Sequence, residues 1–234
     1  MRTIKVLVVE DSLFFREVLV NGINQDSHLE VVAVAGSAYE ARDEIIRTRP
    51  DVMTLDVELP GMSGIEFIRR LLPQYTIPIV VVSSLNETVF DALAAGAVDF
   101  VNKPQVKTPQ DIEAFVLREL NTKIKIASVA KLKNTRTYEE KPLLHNSGNN
   151  TNRVIAIGAS TGGTEAIFEV VNQFSPDIPG VIVVQHMPPG FTAMYADRLN
   201  RQCPVLVKEA RTGDEIRTGH RQKLPMCLVS VRYR

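Results

Sequence analysis

The sequence has few cysteines and no long apolar run, and these two absences exclude several classes of protein. Its two cysteines, Cys203 and Cys227, are too few for a disulfide framework and lack the spacing of metal ligands. The longest apolar runs, such as the one at 79–82, are far shorter than the ~18 residues that a membrane span needs. The N-terminus leads directly into a strand pattern and leaves no room for a signal peptide. We therefore expect a cytoplasmic protein without membrane insertion.

Neither sign of charge is in excess over the whole chain, because 27 Lys and Arg residues balance 27 Asp and Glu residues. The charges are nevertheless distributed unevenly: residues 1–121 carry a net −7, residues 122–152 a net +4 and residues 153–234 a net +3. This distribution is unlike that of a uniformly basic nucleic-acid binder, and the second half contains no helix-turn-helix pattern. We expect an acidic module joined to a mildly basic one, with no nucleic acid as a partner.

Residues 1–121 alternate short apolar runs with segments of helical period. The predicted strands are Val6–Val9, Val31–Val34, Asp51–Leu55, Ile77–Val82 and Val98–Val101, and the predicted helices lie near 12–25, 37–49, 64–73, 87–96 and 109–121. Buried parallel strands consist of continuous Val, Ile and Leu runs, because helices cover both faces of the sheet. This pattern predicts an α/β fold, a flavodoxin-like doubly wound sheet with strand order 2-1-3-4-5.

A linker and a second α/β module follow. Residues 122–152 are rich in polar turn formers, although Ile124, Ile126, Val129 and Leu132 could extend the preceding helix. From residue 153 the pattern resumes with strands at 154–159, 181–185 and 204–208 and helices at 164–173 and 191–201. We therefore predict a domain at 1–121, a linker at 122–152 and the N-terminal part of a second parallel α/β domain at 153–234.

Three acidic residues follow neighbouring strands of the first predicted sheet. The first strand ends in Glu10 and Asp11, and the third ends in Asp56. With the order 2-1-3-4-5, these two strands are adjacent where the strand order reverses, which is where open α/β sheets bind ligands. Three carboxylates so close together repel one another unless a cation is present, and oxygen ligands with open water positions suit Mg²⁺.

Two further strand ends supply a hydroxyl and an ammonium group. The fourth strand ends at Ser83 and the fifth at Lys103, so both side chains could contact a phosphoryl group carried by Asp56. Such a set is typical of an aspartyl-phosphate site, with a carboxylate nucleophile and cations that neutralise the transferred group. The alternative is that Asp11 or Ser12 only caps the first helix and Lys103 is a solvated loop residue.

These motifs resemble the receiver domain of two-component response regulators over residues 3 to about 121. The matching segments are Val8–Ser12, Leu55–Gly64, Val82–Ser84 and Lys103-Pro104. The resemblance implies that a histidine kinase phosphorylates Asp56, and that Mg²⁺ binds Glu10, Asp11, Asp56 and the main-chain carbonyl of Glu58. It also implies a switch formed by Ser83, Phe100 and Lys103. We further expect a cis Lys103-Pro104 peptide bond.

The second module contains a small-residue loop between a strand and a helix. The segment Gly158–Gly163 fits the pattern G-x-S-x-G, a sharp turn that exposes a nucleophilic hydroxyl, here that of Ser160. A serine needs a base, and His186 ends the next strand. If the two strands are parallel neighbours, Ser160 and His186 lie side by side. The alternatives are a nucleotide-binding loop, although the lysine of a P-loop is absent, and a structural histidine.

This segment resembles the catalytic domain of chemotaxis protein-glutamate methylesterases. The matches are Ile155–Ala166 and Gln185–Phe191, and the order of receiver, linker and esterase domain is also the family's. The resemblance implies that Ser160 is the nucleophile and His186 the general base, with Thr161 and Met187 shaping the site and no cofactor for the ester chemistry. It implies hydrolysis of glutamate methyl esters and deamidation of glutamines on methyl-accepting chemotaxis receptors, activated when phosphorylation by the chemotaxis kinase moves the receiver away from the esterase.

The second module departs from the family near its end. The family's domain continues further and supplies a triad aspartate, whereas Asp197 and Asp214 do not stand in that motif. The tail from about 221 carries four basic and no acidic residues and does not resemble the family's next strand, as in a frameshifted or prematurely ended chain. We expect exposed sheet edges and an inactive esterase. The alternative function is then a non-catalytic receiver that accepts phosphate on Asp56.

Overall fold

A computed structural model of the chain describes residues 2–84, 88–104, 108–130, 153–175, 178–188 and 190–214, together with the backbone of Pro225–Val229. The chain divides into two compact units, Met1–Thr135 and Arg136–Arg234. Among the described residues, no helix combines the length and the apolar character that crossing a bilayer requires.

The first unit consists of a five-stranded parallel sheet and the helices that connect its strands. Its strands are β1 (Ile4–Val9), β2 (Leu29–Ala35), β3 (Val52–Leu55), β4 (Ile79–Ser83) and β5 (Asp99–Asn102). The first four helices are α1 (Leu13–Asn24), α2 (Ala38–Thr48), α3 (Gly64–Leu71) and α4 (Thr88–Ala94). The strand order is β2-β1-β3-β4-β5, so the predicted fold is confirmed. All residues of β3 and β4 are buried, as the continuous apolar runs predicted.

Serine side chains cap the N-termini of three of these helices. Ser12, Ser37 and Ser63 each occupy an N-cap position, where the side-chain oxygen accepts a hydrogen bond from a main-chain N–H of the first turn. The structure therefore shows Ser12 as the N-cap residue of α1, which is the role that the alternative interpretation gave it.

The last helix of the first unit extends beyond the predicted domain boundary. Helix α5 (Pro109–Phe115) continues through a π-helical turn (Val116–Leu120) into α6 (Asn121–Ser128). The expectation that the start of the 122–152 segment extends the preceding helix is confirmed, because α6 continues to Ser128. Ile124 of this helix is buried in the core of the first unit. Ile126 and Val129 are exposed, and Leu132 lies outside the described residues.

Helix α6 is tied to the end of α1 by an ion pair. Lys125 Nζ lies 2.7 Å from Asp26 Oδ2, and the main-chain N–H of His28 donates to Asp26 Oδ1. The hydrogen bond from Lys125, followed by the bond from the His28 N–H, lowers the pKa of Asp26 from 3.8 to about 2. A carboxyl whose pKa is lower in the folded state stabilises the fold above pH 3.8, and this contribution is lost as the pH falls towards 2.

We predict that Asp26→Asn lowers the free energy of unfolding of the first unit by about 1–2 kcal/mol at pH 7, since Lys125 is partly exposed and solvent weakens the pair. Urea denaturation at a series of pH values should show this difference shrinking as the pH falls from 4 towards 2. Asp43→Asn is the control, because Asp43 pairs with Arg42 in solvent and should contribute almost nothing. A difference for Asp26→Asn that is constant across this pH range would contradict the assignment.

The second unit contains a four-stranded parallel sheet. Its strands are β6 (Val154–Ala159), β7 (Gly180–Gln185), β8 (Leu206–Glu209) and β9 (Pro225–Val229), and its helices are α7 (Gly163–Val171) and α8 (Phe191–Gln202). The sheet order is β6-β7-β9-β8, which places β6 at an edge of the described sheet. Residues of β6 alternate between exposed and half-buried positions. The prediction that the strands before Ser160 and His186 are parallel neighbours is confirmed.

Two features of the backbone differ from expectation. A strand that the sequence analysis did not predict, β9, pairs with both β7 and β8 inside the segment described above as a divergent tail. Residues 226–229 form a short apolar run that is typical of a buried strand, although the segment does not resemble the family's next strand. The expected cis Lys103-Pro104 bond is wrong, because the bond is trans. The trans form is the intrinsically favoured one, and with it Lys103 already reaches the carboxylates described below.

Candidate functional site

Two strand ends bring three carboxylates together in the first unit. β1 and β3 pair in register at Val9 and Leu55, so that the residues following them, Glu10 and Asp56, lie next to each other. Oxygen atoms of Glu10, Asp11 and Asp56 all lie within 4.8 Å of one another. Glu10 and Asp56 are buried, whereas Asp11 is exposed. Negative charge is therefore concentrated in one pocket beyond the carboxyl ends of the strands.

Lys103 neutralises part of this charge. Its Nζ lies 2.5 Å from Asp56 Oδ2 and 2.8 Å from Glu10 Oε2, and it also lies 4.8 Å from the centre of the Phe15 ring. Burial alone would lower the pKa of Lys103, but the bonds and charges of Asp56 and Glu10 outweigh it and raise this pKa. Burial raises the pKa of Glu10, and Lys103 offsets only part of that effect. Lys103 is thus a pocket residue and not a solvated loop residue.

The pocket has the donor set that a divalent cation needs. Carboxylate oxygens of Glu10, Asp11 and Asp56 are hard ligands, and the exposed position of Asp11 leaves one side open to water. Glu58 follows two residues after Asp56, and its main-chain N–H donates to Asp56 Oδ1 at 3.0 Å. These residues fit Mg²⁺, and the ligand role of the Glu58 carbonyl stays a prediction.

The predicted switch residues lie in β4, in β5 and directly after β5. Ser83 is the last residue of β4, and its buried Oγ has no hydrogen-bond partner among the described residues. The main-chain N–H of Lys103 donates to the Ser83 carbonyl, which fixes the two residues beside each other. Phe100 in β5 is buried and packs edge to face against Phe90, with ring centroids 6.3 Å apart. Their roles in switching stay predictions.

In the second unit, Ser160 lies in a tight turn between β6 and α7. Gly162 adopts a φ of 74°, a left-handed conformation that favours glycine, and it is the N-cap residue of α7. The main-chain N–H of Gly163 donates to the Ser160 carbonyl at 2.8 Å. Ser160 itself is exposed, and Thr161 is half-buried. The turn therefore presents the Ser160 side chain at the end of the sheet, as the G-x-S-x-G pattern predicts.

His186 follows β7 at the same end of the sheet. Ala159 and Gln185 are register partners, so Ser160 and His186 each come one residue after a paired position. His186 is exposed, and Met187 after it is buried. The catalytic roles of these residues stay predictions.

The two aspartates that follow His186 have their own surroundings. Asp197 lies within α8, where its main-chain carbonyl accepts a hydrogen bond from Arg201. Asp214 forms an ion pair with Lys208 and accepts a hydrogen bond from the main-chain N–H of Arg211. Contacts with Lys208 and Arg211 lower the pKa of Asp214. These contacts give Asp214 a structural role in the turn after β8.

Sequence reasoning missed two side chains that contact the sites. Gln185 hydrogen-bonds to the main chain of Ser160 and of His186. Lys123 of α6 hydrogen-bonds to Asp99 and to the Phe100 carbonyl. The position of Gln185 at the end of β7, beside a histidine, was a usable signal. No comparable signal marks Lys123, which lies in the segment assigned to the linker.

Comparison with known families finds two matching domains in the chain. Residues 6–116 match the response regulator receiver domain, and residues 155–222 match the CheB methylesterase domain. The first match contains the carboxylate pocket and Lys103, and the second contains Ser160 and His186. The fold and these sites define a response regulator in which a receiver domain precedes a methylesterase domain.

Curated relatives match most of this chain. The chain is 56% identical over 221 residues to protein-glutamate methylesterase/protein-glutamine glutaminase 2 of Syntrophomonas wolfei, covering 94% of this chain and 64% of that protein. It is 47% identical to the corresponding protein of Syntrophotalea carbinolica, covering 93% of this chain and 65% of that protein. The chain belongs to the CheB family of chemotaxis response regulators. It spans just under two thirds of the length of these relatives.

A solved structure resembles the first unit. The crystal structure of the response regulator domain of Thermotoga maritima CheB matches with a TM-score of 0.52 and 35% identity, covering 56% of this chain and 99% of that domain. This match supports the receiver fold independently of the family comparison.

Proposed function

We propose that this protein hydrolyses glutamate methyl esters, and deamidates glutamines, on methyl-accepting chemotaxis receptors, and that phosphorylation of its receiver domain regulates this activity. The observation that carries the proposal is the presence in one chain of the Asp56 pocket and the Ser160–His186 strand ends. The names of the relatives state both activities. The proposed partners are the receptors and the chemotaxis histidine kinase, and the cytoplasmic location stays a prediction.

In the receiver, Asp56 is the proposed phosphoryl acceptor. One carboxylate oxygen of Asp56 forms a bond to the phosphorus atom of the kinase's phosphohistidine while the phosphorus–nitrogen bond breaks and the histidine leaves. The ammonium group of Lys103 stabilises the charge on the transferred phosphoryl oxygens. Mg²⁺ bound by Glu10, Asp11, Asp56 and the Glu58 carbonyl would neutralise further negative charge. The buried hydroxyl of Ser83, which has no hydrogen-bond partner among the described residues, can donate to a phosphoryl oxygen.

In the second unit, Ser160 is the proposed nucleophile. His186 accepts the proton of the Ser160 hydroxyl as its oxygen attacks the ester carbonyl, and methanol leaves from the resulting intermediate. A water molecule, deprotonated in turn by His186, then releases the acyl group as a free glutamate side chain. Thr161 and Met187 flank the two reacting side chains in sequence and shape the proposed site. The same acyl transfer on a glutamine releases ammonia.

A second candidate function is a receiver that accepts phosphate without ester hydrolysis. Every side chain of the phosphorylation site lies between residues 10 and 103, within the compact unit Met1–Thr135. This unit therefore contains the parts that phosphoryl transfer requires.

The experiment that separates the two functions measures methanol release from methylated chemoreceptor in the presence of Mg²⁺ and a small phosphodonor. We predict that any release depends on Ser160, so that Ser160→Ala lowers it at least ~1,000-fold, because the nucleophile itself is removed. Methanol release that is lost in Ser160→Ala supports the esterase function. Phosphorylation of Asp56 without release supports the second function for this chain. Release that persists in Ser160→Ala would show that another group is the nucleophile.

A further inference from the structure

Gln185 connects the two loops that carry the proposed catalytic side chains of the second unit. It is the last residue of β7, it is the register partner of Ala159 on β6, and it is only 4% exposed. Its Nε2 donates to the Ser160 carbonyl at 2.9 Å and to the His186 carbonyl at 3.2 Å. One buried amide group therefore binds the main chain of both residues.

The amide nitrogen of Gln185 uses both of its N–H groups as hydrogen-bond donors in these two contacts. Both partners are carbonyl oxygens, which only accept hydrogen bonds, so the amide nitrogen must face them. The amide oxygen of Gln185 is buried and has no partner among the described residues. An aliphatic side chain at this position would leave two carbonyl groups without their donor, and a carboxylate would repel them.

Gly163 makes room for this side chain. A Cβ atom placed on Gly163 would lie 2.3 Å from Gln185 Oε1 and 2.5 Å from the Ala159 Cβ, which is closer than real contacts allow. The main-chain N–H of Gly163 also donates to the Ser160 carbonyl, so this oxygen accepts bonds from both Gly163 and Gln185. The side chain of Gln185 thus packs closely against the turn that exposes Ser160.

We infer that Gln185 is a positioning residue of the esterase site, which fixes the Ser160 loop relative to the His186 loop. This inference rests on the proposed esterase function. A serine and its general base must lie about 3 Å apart for proton transfer, and a displacement of about 1 Å can lower a rate about 100-fold. The side-chain amide of Gln185, which binds the main chain of both loops, limits such displacement without contacting the substrate.

The test compares Gln185→Met with Gln202→Met in the full chain. Methionine keeps the length and apolar stem of glutamine but has no donor, and Gln202 is an exposed glutamine at the end of α8. The first readout is main-chain hydrogen exchange. We expect Gln185→Met to accelerate exchange about tenfold at 160–163 and 186–187 and to leave α8 unchanged. Unchanged exchange at the two loops, or equal acceleration throughout α7 and α8, would overturn the inference.

The second readout is covalent modification of Ser160 by a fluorophosphonate probe. Gln185→Met should lower the maximal rate of modification about 100-fold while the half-saturating probe concentration stays the same, because positioning and not binding is lost. Gln185→Glu, which keeps the shape but places carboxylate oxygens against the two carbonyl groups, should show the same pattern with at least the same amplitude. A change in the half-saturating concentration alone contradicts a positioning role.

The experiments distinguish a failure of the esterase proposal from a failure of the positioning role of Gln185. If the probe modifies the wild-type chain no faster than it modifies Ser160→Ala, the esterase proposal fails for this chain. The exchange comparison at the two loops then still decides whether Gln185 fixes them.

Discussion

Replacing Asp56 with asparagine should abolish phosphorylation of the receiver domain. The Asp56 carboxylate is the proposed nucleophile, and an amide oxygen in the same place is too weakly nucleophilic to form an acyl phosphate. Asp56 is also 4% exposed and accepts hydrogen bonds from Lys103 and from the Glu58 N–H, so its oxygen atoms are held in the pocket. Incubation with a small acyl phosphate and Mg²⁺, followed by intact-protein mass spectrometry, should show one added phosphoryl group in the wild type and none in Asp56→Asn.

Asp51→Asn is the matched control for this prediction. Asp51 and Asp56 lie at opposite ends of the same strand, and Asp51 pairs with Arg2 and accepts a hydrogen bond from the Lys5 N–H. Its replacement should leave phosphorylation intact. A phosphoryl group that still appears in Asp56→Asn at the wild-type rate would show that another side chain is the acceptor and would contradict the role proposed for Asp56.

Much of the first unit could be predicted from the sequence because its strands are buried on both faces. Such strands consist of continuous apolar runs, and the connections between them determine the strand order. Once the order is known, the residues after each strand must meet at one edge of the sheet. Glu10, Asp56, Ser83 and Lys103 were predicted to meet there by this argument. In the structure, Lys103 contacts the carboxylates of Glu10 and Asp56, and its main-chain N–H donates to the Ser83 carbonyl.

The contacts that the sequence did not reveal depend on side chains that reach between elements. Gln185 contacts Ser160 across a strand pair, and Lys123 contacts Phe100 from a helix 23 residues further along the chain. Neither contact produces a periodic pattern, because each involves one polar side chain and main-chain carbonyl groups. The strand β9 differs from these contacts, because its short apolar run is a strand signal in itself but stands in a segment that does not resemble the family's next strand.

The contact of Lys123 leads to the second large expected effect. Lys123 Nζ lies 2.9 Å from Asp99 Oδ1 and 2.7 Å from the Phe100 carbonyl, and 5.3 Å from the centre of the Phe100 ring. The side chains of Lys123 and Asp99 are only 12% and 8% exposed. Removing one partner of a buried ion pair leaves the other charge without compensation, which costs about 3–5 kcal/mol. We therefore predict that Lys123→Met lowers the free energy of unfolding of the first unit by about 3 kcal/mol.

Chemical denaturation of a double-mutant cycle tests this prediction, with Arg118→Met as the control for an exposed cation in the same helical segment. Adding Asp99→Asn to Lys123→Met should recover part of the loss, because the uncompensated charge disappears. Additive effects of the two substitutions would contradict the ion pair. Since Lys123 binds the main chain of the predicted switch residue Phe100, its loss should also perturb β5 more than β2 in hydrogen exchange. Equal perturbation of both strands would mean that the pair stabilises the whole unit and has no special connection with the switch strand.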